Sequence, residues 1–367
     1  MKYSLDDYLA VGLRSLADGL AAPEQLASMR AIARRLPPSA DFGFECRLSD
    51  DDDAVDLLAR LVPDDGTRAA YAGANAASYV APELLRNGAW RRLQAFCARW
   101  AAPDDPLHDE IRDMWIELDR AELDGRAVTP CLFVQPRNET AAQGPITRAL
   151  SALLHGRHDE MELPAAARRC FAAAPGRANV AQAGVMISRP RCPIRLFIQT
   201  EASSVSAFLS DVGWPGPFSQ LDHFLSEIAP FAARFAIDLD VSETISPRIG
   251  FECFFQDGAS SQQRFAALVE RLIALGLCAP GKGAALMRWK GAIDPASTTA
   301  PWPSNLQRAA QRLGWRSVFL RRVNHLKIVY SDGALPMAKA YFGLTHRWLM
   351  RRSQNIAGTE NEADRAS

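Results

Sequence analysis

The feature that most restricts the fold of this chain is that almost every predicted strand carries two unlike faces. Successive side chains of a strand point to opposite sides. The segment FGFECRLS therefore separates Phe44, Cys46 and Leu48 from Glu45 and Arg47. The same division into an apolar face and a face of charged and aromatic residues recurs in MWIELD, IRLFIQ, AIDLDV and IGFECFF. One face must be covered by other elements, while the second must meet water or an internal cavity.

Predicted helices stand in pairs between predicted hairpins, so the chain consists of repeats of two helices followed by two strands. Helical periodicity is clear in PELLRNGAWRRLQAFCARW and SQQRFAALVERLIALGL, and weaker strands are predicted at TRAAYAG and AALMRWKG. The tetrapeptide GFEC occurs at 43–46 and again at 250–253. These recurrences suggest one architecture built from repeated units.

An open antiparallel sheet of about ten strands tends to curl or split, whereas closure removes its unpaired edges. We therefore predict an α+β fold, a closed antiparallel barrel of about ten strands with amphipathic helices outside and a polar, aromatic-lined lumen. We assign this barrel to residues 1–350 as one domain and predict a disordered polar tail at 351–367. The alternative is an α+β protein with two ferredoxin-like halves, each exposing a solvated sheet face.

Composition limits the classes of function. Of the 367 residues 48% are apolar, and 42 basic residues balance 42 acidic ones, which gives no support for a nucleic-acid or membrane-surface partner. No apolar run approaches the roughly 18–20 residues of a membrane helix, and the acidic N-terminus is unlike a signal peptide. The seven cysteines lack a CxxC pair. They fit reduced thiols, so we predict a cytoplasmic protein.

A literal DDxxD formed by Asp52, Asp53 and Asp56 suggests a magnesium–diphosphate site. We interpret it instead as the acidic start of a helix capped by Ser49 and Asp50, because negative charge favours a helix N-terminus. No second acidic motif accompanies it at a matching spacing. We therefore predict no cofactor and no dedicated metal site.

Helix pairs alternating with hairpins around a ten-strand barrel resemble the fold of the ABBA aromatic prenyltransferases, which include indole and cyanobactin types. FGFECRLS resembles the family's first strand, in which a glutamate follows a short apolar stretch. LKIVYSDGALPMAKAYFGL resembles its paired strands with lysine and tyrosine. TPCLFVQPR resembles a further strand, although Cys131 and Phe133 stand where lysine and tyrosine are expected. The C-terminal half also resembles uncharacterised bacterial proteins encoded near peptide natural-product genes.

The resemblance implies prenyl transfer from an allylic diphosphate to an aromatic or nitrogen nucleophile, on a ribosomal peptide side chain or a small natural product. Glu45 would accept a hydrogen bond from the nucleophile and take its proton. Basic and tyrosine side chains of the lumen would hold the diphosphate: Arg68, Arg195, Lys327, Lys339, Tyr330 and Tyr341. The other substrate contacts would be Trp115, Glu117, Phe197, Glu252 and Phe254. Mg²⁺ could stimulate the reaction without a site of its own.

The acids on the polar strand faces leave a second class of function open. Their number could suit a cationic acceptor such as an arginine or amine group, or each acid could belong to a cross-strand salt bridge. The alternative function is a non-enzymatic maturation factor that binds a peptide or small molecule in the same lumen. An open lumen with clustered arginine and lysine favours the transferase, whereas a plugged or wholly acidic lumen favours the binding protein.

Overall fold

The computed structural model describes residues 3–50, 54–64, 66–74, 80–119, 128–156, 162–189, 193–255, 258–331 and 336–350. Within these ranges eleven strands form one sheet. In chain order the strands are β1 Asp41–Arg47, β2 Val55–Leu61, β3 Ile111–Leu118, β4 Cys131–Pro136, β5 Ala178–Val185, β6 Ile194–Thr200, β7 Arg234–Val241, β8 Ile245–Phe254, β9 Gly291–Ile293, β10 Trp315–Tyr330 and β11 Met337–Met350. The predicted tail, 351–367, lies outside the described residues.

Helices connect the hairpins. In chain order they are α1 Leu5–Ala17, α2 Pro23–Ala33, α3 Thr67–Tyr71, α4 Gly88–Ala101, α5 Leu107–Glu110, α6 Gln143–His155, α7 Ala165–Ala173, α8 Val205–Val212, α9 Phe218–Ile228, α10 Ala259–Ala274, α11 Pro280–Trp289 and α12 Ser304–Leu313. Short 3₁₀ turns occur at Leu84–Arg86, Glu139–Ala141, Ala202–Ser204 and Ala229–Phe231. No helix in the described ranges is both long and apolar enough to cross a membrane.

The sheet closes into a barrel. Strands β1 to β8 follow one another in chain order, β10 pairs with β8, and β11 joins β10 to β1, so ten antiparallel strands form a ring. The short β9 adds to β10 beside this ring. The predicted closed barrel with helices outside is therefore confirmed.

The apolar strand faces point outward and pack under the helices, which leaves the charged faces inside. On β8 the outward residues Ile249, Phe251 and Cys253 are fully buried in one hydrophobic core. Helix α4 contributes Trp90, Leu93 and Cys97 to that core, at the spacing of three and four residues that brings side chains to one side of a helix. The described cysteines are buried free thiols.

Three local predictions were wrong. The segment predicted as a helix capped by Ser49 and Asp50 forms strand β2 over Val55–Leu61, and the alternation around Asp56 is that of a strand. TRAAYAG forms the short helix α3, and most of AALMRWKG forms the end of α11. Alanine-rich segments lack the β-branched residues that favour strands, so helical packing against the barrel prevails. Asp52 and Asp53 lie outside the described residues.

We expect substitution of Ala340 by proline to destabilise the fold strongly. Ala340 is fully buried in β11 and stands opposite Cys46 on β1 and Leu326 on β10, so proline would break the ladder at the seam that closes the barrel. An unsatisfied buried carbonyl alone costs about 1–3 kcal/mol. Urea unfolding measures the free-energy loss. Leu349→Pro, at the exposed end of the same strand, is the control, and equal small losses in both variants would contradict closure at β11.

Candidate active site

The barrel encloses a cavity of about 840 Å³. Strand alternation arranges its wall in levels, as β3 illustrates with Asp113, Trp115 and Glu117 on one face. Residues two apart on a strand are separated by about 6.5–7 Å. Charged side chains thus stand at the exposed end of the cavity, the mouth, with Arg234, Arg322 and Arg347, and at its buried end, the floor, with Glu117, Asp238 and Lys327. An aromatic level lies between them.

The aromatic level is formed by side chains from five strands: Trp115, Phe133, Phe197, Phe254 and Tyr341. Phe197 and Phe254 meet edge to face, with ring centroids 5.9 Å apart. The Tyr341 ring stacks on His325 at 4.2 Å. A wall of this kind excludes water and presents π-faces that attract a cation.

Basic side chains outnumber acidic ones around the cavity. The basic residues are Arg60, Arg112, Arg195, Arg234, Lys290, Arg322, Lys327 and Arg347. The acidic residues are Asp41, Glu117, Glu139, Asp238 and Glu252. Among the described residues, no carboxylate pairs with Arg234, Arg322 or Arg347, which are exposed at the mouth. The mouth can therefore attract an anion.

Lys327 is a buried cation on the inner wall that joins two strands. Its ammonium contacts the Asp238 carboxylate and lies 3.2 Å from Oε1 of Glu252. Gly250 makes this reach feasible, because a Cβ there would meet the lysine Cε at 2.6 Å. Arg195 is held similarly, with two hydrogen bonds of 2.7 and 2.9 Å to Asp240.

The groups around Lys327 have shifted proton affinities. Burial raises the pKa of Asp238 to about 6, although Lys327 opposes the rise. Burial, reinforced by Lys327, lowers the pKa of His325 to about 3, so its imidazole is neutral. Nε2 of His325 lies 3.1 Å from Glu252 but does not form a hydrogen bond of good geometry with it. With this raised pKa, Asp238 can change charge near neutral pH.

Glu45 is buried beside the cavity rather than on its surface. Its two carboxylate oxygens accept hydrogen bonds from the Lys339 ammonium and the Tyr341 hydroxyl. Burial would raise the pKa of Glu45, but the positive charges of Lys339 and Lys327 hold it well below its usual range. Glu45 is therefore an ionised carboxylate that is connected to the cavity by its hydrogen bond from Tyr341, whose ring lines the wall.

Two further carboxyl groups lie against Glu45. Oxygens of Glu45, Asp56 and Glu117 all fall within 4.8 Å of one another. Burial and mutual repulsion raise the pKa of Asp56 to about 9 and that of Glu117 to about 8. These are the described residues that could hold a metal ion, although Lys339 already supplies a cation to this group.

The structure brings most of the sequence-predicted site residues into one lumen. Those on its inner face are Glu45, Trp115, Glu117, Arg195, Phe197, Glu252, Phe254, Lys327, Lys339 and Tyr341. Arg68 and Tyr330 are not lumen residues. Arg68 lies on α3 and donates to the carbonyl of Trp100 at 2.9 Å. Tyr330 follows Lys327 by three residues, an odd spacing that turns it outward to donate to Gln220 at 2.7 Å.

Strand β2 was not predicted from the sequence, although it forms part of the cavity wall. In VDLLARL the inward residues are Asp56, Leu58 and Arg60, and the alternating apolar residues between them are the signal that identifies a strand. Arg60 bridges Asp41 and Asp113 at 3.1 and 2.8 Å. Reading the segment as a capped helix concealed these contacts.

Comparison of structures shows similarity where comparison of sequences does not. No protein-family model matches the chain, and no curated protein matches it. The crystal structure of the prenyltransferase PriB in its apo form is 14% identical, with a TM-score of 0.51 over 93% of this chain and 96% of that one. AnaPT from Neosartorya fischeri is 11% identical, with a TM-score of 0.54 over 91% of both chains.

At these identities the likeness is one of architecture, and it extends over nearly the whole of each chain. It agrees with the ring of ten antiparallel strands and the helices outside it. The chain therefore has the barrel fold of the ABBA aromatic prenyltransferases, as its sequence motifs predicted.

Proposed function

We propose that the protein transfers a prenyl group from an allylic diphosphate to an aromatic or nitrogen nucleophile of a peptide side chain or a small natural product. The observation that carries this proposal is a cavity that combines an aromatic level with an excess of basic side chains, inside a barrel of the prenyltransferase fold. An ionising allylic diphosphate produces an anion and a carbocation, and such a cavity offers a partner to each.

The diphosphate would lie against the basic part of the wall, with Lys327 and Arg195 below it and Arg234 and Arg322 at the mouth. Lys327 is already near two carboxylates, and a bound diphosphate would compete with them. Because Asp238 has a pKa of about 6, its protonation can free the ammonium for the anion. When the C–O bond breaks, the carbocation would face Phe197, Phe254 and Tyr341.

Tyr341 and Glu45 would remove the proton of the nucleophile. After the new bond forms, the acceptor loses a proton to the Tyr341 oxygen, while the hydroxyl proton of Tyr341 passes to the Glu45 carboxylate. The hydrogen bond between the two side chains supports this direction of transfer. Lys339 keeps Glu45 ionised until the proton arrives, so its role is to position and charge this carboxylate.

A second candidate is a binding protein without catalytic activity. It is favoured by one specific observation, which is that Arg195, Lys327 and Lys339 all contact carboxylates. A site with its buried cations already compensated can hold a polar ligand without ionising a diphosphate. Binding of the donor separates the two candidates.

We expect geranyl or dimethylallyl S-thiolodiphosphate to bind in calorimetric titration, with and without Mg²⁺. Lys327→Gln should weaken binding by about tenfold or more, because it removes a buried positive charge that faces the diphosphate. Lys282→Gln is the matched control, since Lys282 caps the carbonyls of Arg47 and Ser49 away from the cavity. Absence of binding at millimolar concentration would reject the transferase in favour of the binding protein.

We expect Glu45→Gln and Tyr341→Phe to reduce turnover by about 100-fold each, and the double variant to lose little more, because both belong to one proton path. Single-turnover kinetics with saturating donor measures the effect, and donor affinity should change far less. Glu139→Gln, at the cavity mouth, is the control. Additive losses would contradict a shared path.

Donor binding should also depend on the charge of Asp238. An anion near this carboxyl raises its pKa further, so binding takes up a proton, and affinity should rise as pH falls toward about 6 and level off below it. Asp238→Asn should bind at about pH 8 as tightly as the unchanged protein does at low pH. The donor also titrates, but its titration affects both proteins equally. Identical dependence of donor affinity on pH in the two proteins would therefore refute the role of Asp238.

A further inference from the structure

We propose that the floor of the cavity is a binding site for a guanidinium group, which the structure assigns to Glu117 and the aromatic side chains above it. The inference deepens the proposed function, since on that function the guanidinium would belong to the acceptor. It concerns binding alone and adds no chemical step.

Glu117 is a buried carboxyl that faces the cavity without a hydrogen-bond partner at one oxygen. Its side chain lines the cavity, only 4% of the residue is exposed, and Oε1 accepts no hydrogen bond from the described residues. Arg189 stands 3.8 Å from Oε1 but lies closer to Asp119, at 3.4 Å, and Arg195, whose charge also acts on Glu117, is hydrogen-bonded to Asp240. A buried acceptor left open toward a cavity is suited to a donor that the ligand brings.

The carboxyls around Glu117 need protons or a further cation to offset their charge. Glu45, Asp56 and Glu117 have oxygens within 4.8 Å of one another, and Lys339 is the cation in direct contact with this group. If all three carboxyls were ionised, their negative charge would exceed the single positive charge of Lys339. Such an uncompensated charge is costly when it is buried. A ligand cation at Glu117 would compensate it.

The neighbouring wall favours an organic, planar cation over a metal ion. Trp115 lies two residues from Glu117 on the same strand face, and Phe133 stands opposite Trp115 on β4. These rings supply stacking surfaces and no oxygen ligands. Arg60 already places its guanidinium 5.9 Å from the Trp115 ring centroid, so this ring has a guanidinium neighbour within the protein. A metal ion would have to displace the Lys339 ammonium from Glu45.

The raised pKa of Glu117 makes guanidinium binding detectable as the release of a proton. With a pKa of about 8, Glu117 holds a proton at neutral pH while no ligand cation is near. A guanidinium lowers that pKa, so its binding releases a proton and its affinity rises as pH is raised toward about 8. A ligand held by the aromatic wall alone would release none.

The test compares Nα-acetyl-arginine amide with Nα-acetyl-citrulline amide, which has nearly the same shape and no charge. Calorimetry of the full chain at about pH 7, in two buffers of different ionisation enthalpy, gives affinity and proton release together. We expect the arginine derivative to bind about 10- to 100-fold more tightly and to release a proton. Equal affinities, or binding without proton release, would overturn the proposal.

Glu117→Gln should remove both the preference for arginine and the proton release. Glu139→Gln changes a carboxylate that lines the same cavity near Arg112, and it should keep both. If Glu117→Gln fails to fold, as judged by circular dichroism, the proton release of the unchanged protein still decides. Competition between Mg²⁺ and the arginine derivative that depends on Glu117 would overturn the proposal in favour of a metal site.

The outcome is independent of donor binding. If the thiolodiphosphate binds and the arginine derivative does not, the guanidinium site is wrong while the proposed transferase stands. If the arginine derivative binds with proton release and the thiolodiphosphate does not bind, the transferase is wrong while the guanidinium site stands as that of a binding protein.

Discussion

The ion pair between Glu45 and Lys339 is the interaction on which the arrangement of the lumen depends. It joins the first and last strands of the ring, from residues 294 positions apart in the chain. Both groups are buried, and a buried charge without its partner costs several kcal/mol. A shift of one residue between β1 and β11 would turn one partner outward into the hydrophobic core, so the pairing reinforces the register that the apolar faces already favour.

The cost of leaving a buried charge unpaired also explains why the cations at the two ends of the cavity differ in their partners. Deep in the barrel, Arg195 is compensated by Asp240 on the neighbouring strand β7, and Lys327 is compensated by acids on β7 and on its own neighbour β8. At the mouth, water can solvate charges, so Arg234, Arg322 and Arg347 stand without carboxylate partners in the described chain. The aromatic level between the two ends separates solvated cations from buried acids. A ligand with an anionic group at one end and a cationic or electron-rich group at the other would match this order.

Sequence reasoning succeeded where alternation was read over a whole strand. Glu45, Glu117 and Arg195 were predicted inside the lumen because each stands between outward apolar neighbours. Tyr330 failed on the same rule, since its odd spacing from Lys327 was overlooked. Arg68 failed because the packing of α3 against Trp100, which is remote in sequence, decides where that side chain lies.

The sequence by itself favoured the closed barrel over two open sheets, because strands with one apolar and one charged face, separated by amphipathic helices, bury the first face under the helices, and closure of about ten such strands removes their unpaired edges. It also determined which face most of the candidate residues occupy. The tertiary structure alone decided which charges meet. Lys339 pairs with Glu45, and the Glu117 carboxyl stands open toward the cavity. Those pairings depend on the stagger of strands around the ring, which is a property of the closed sheet and of no single segment.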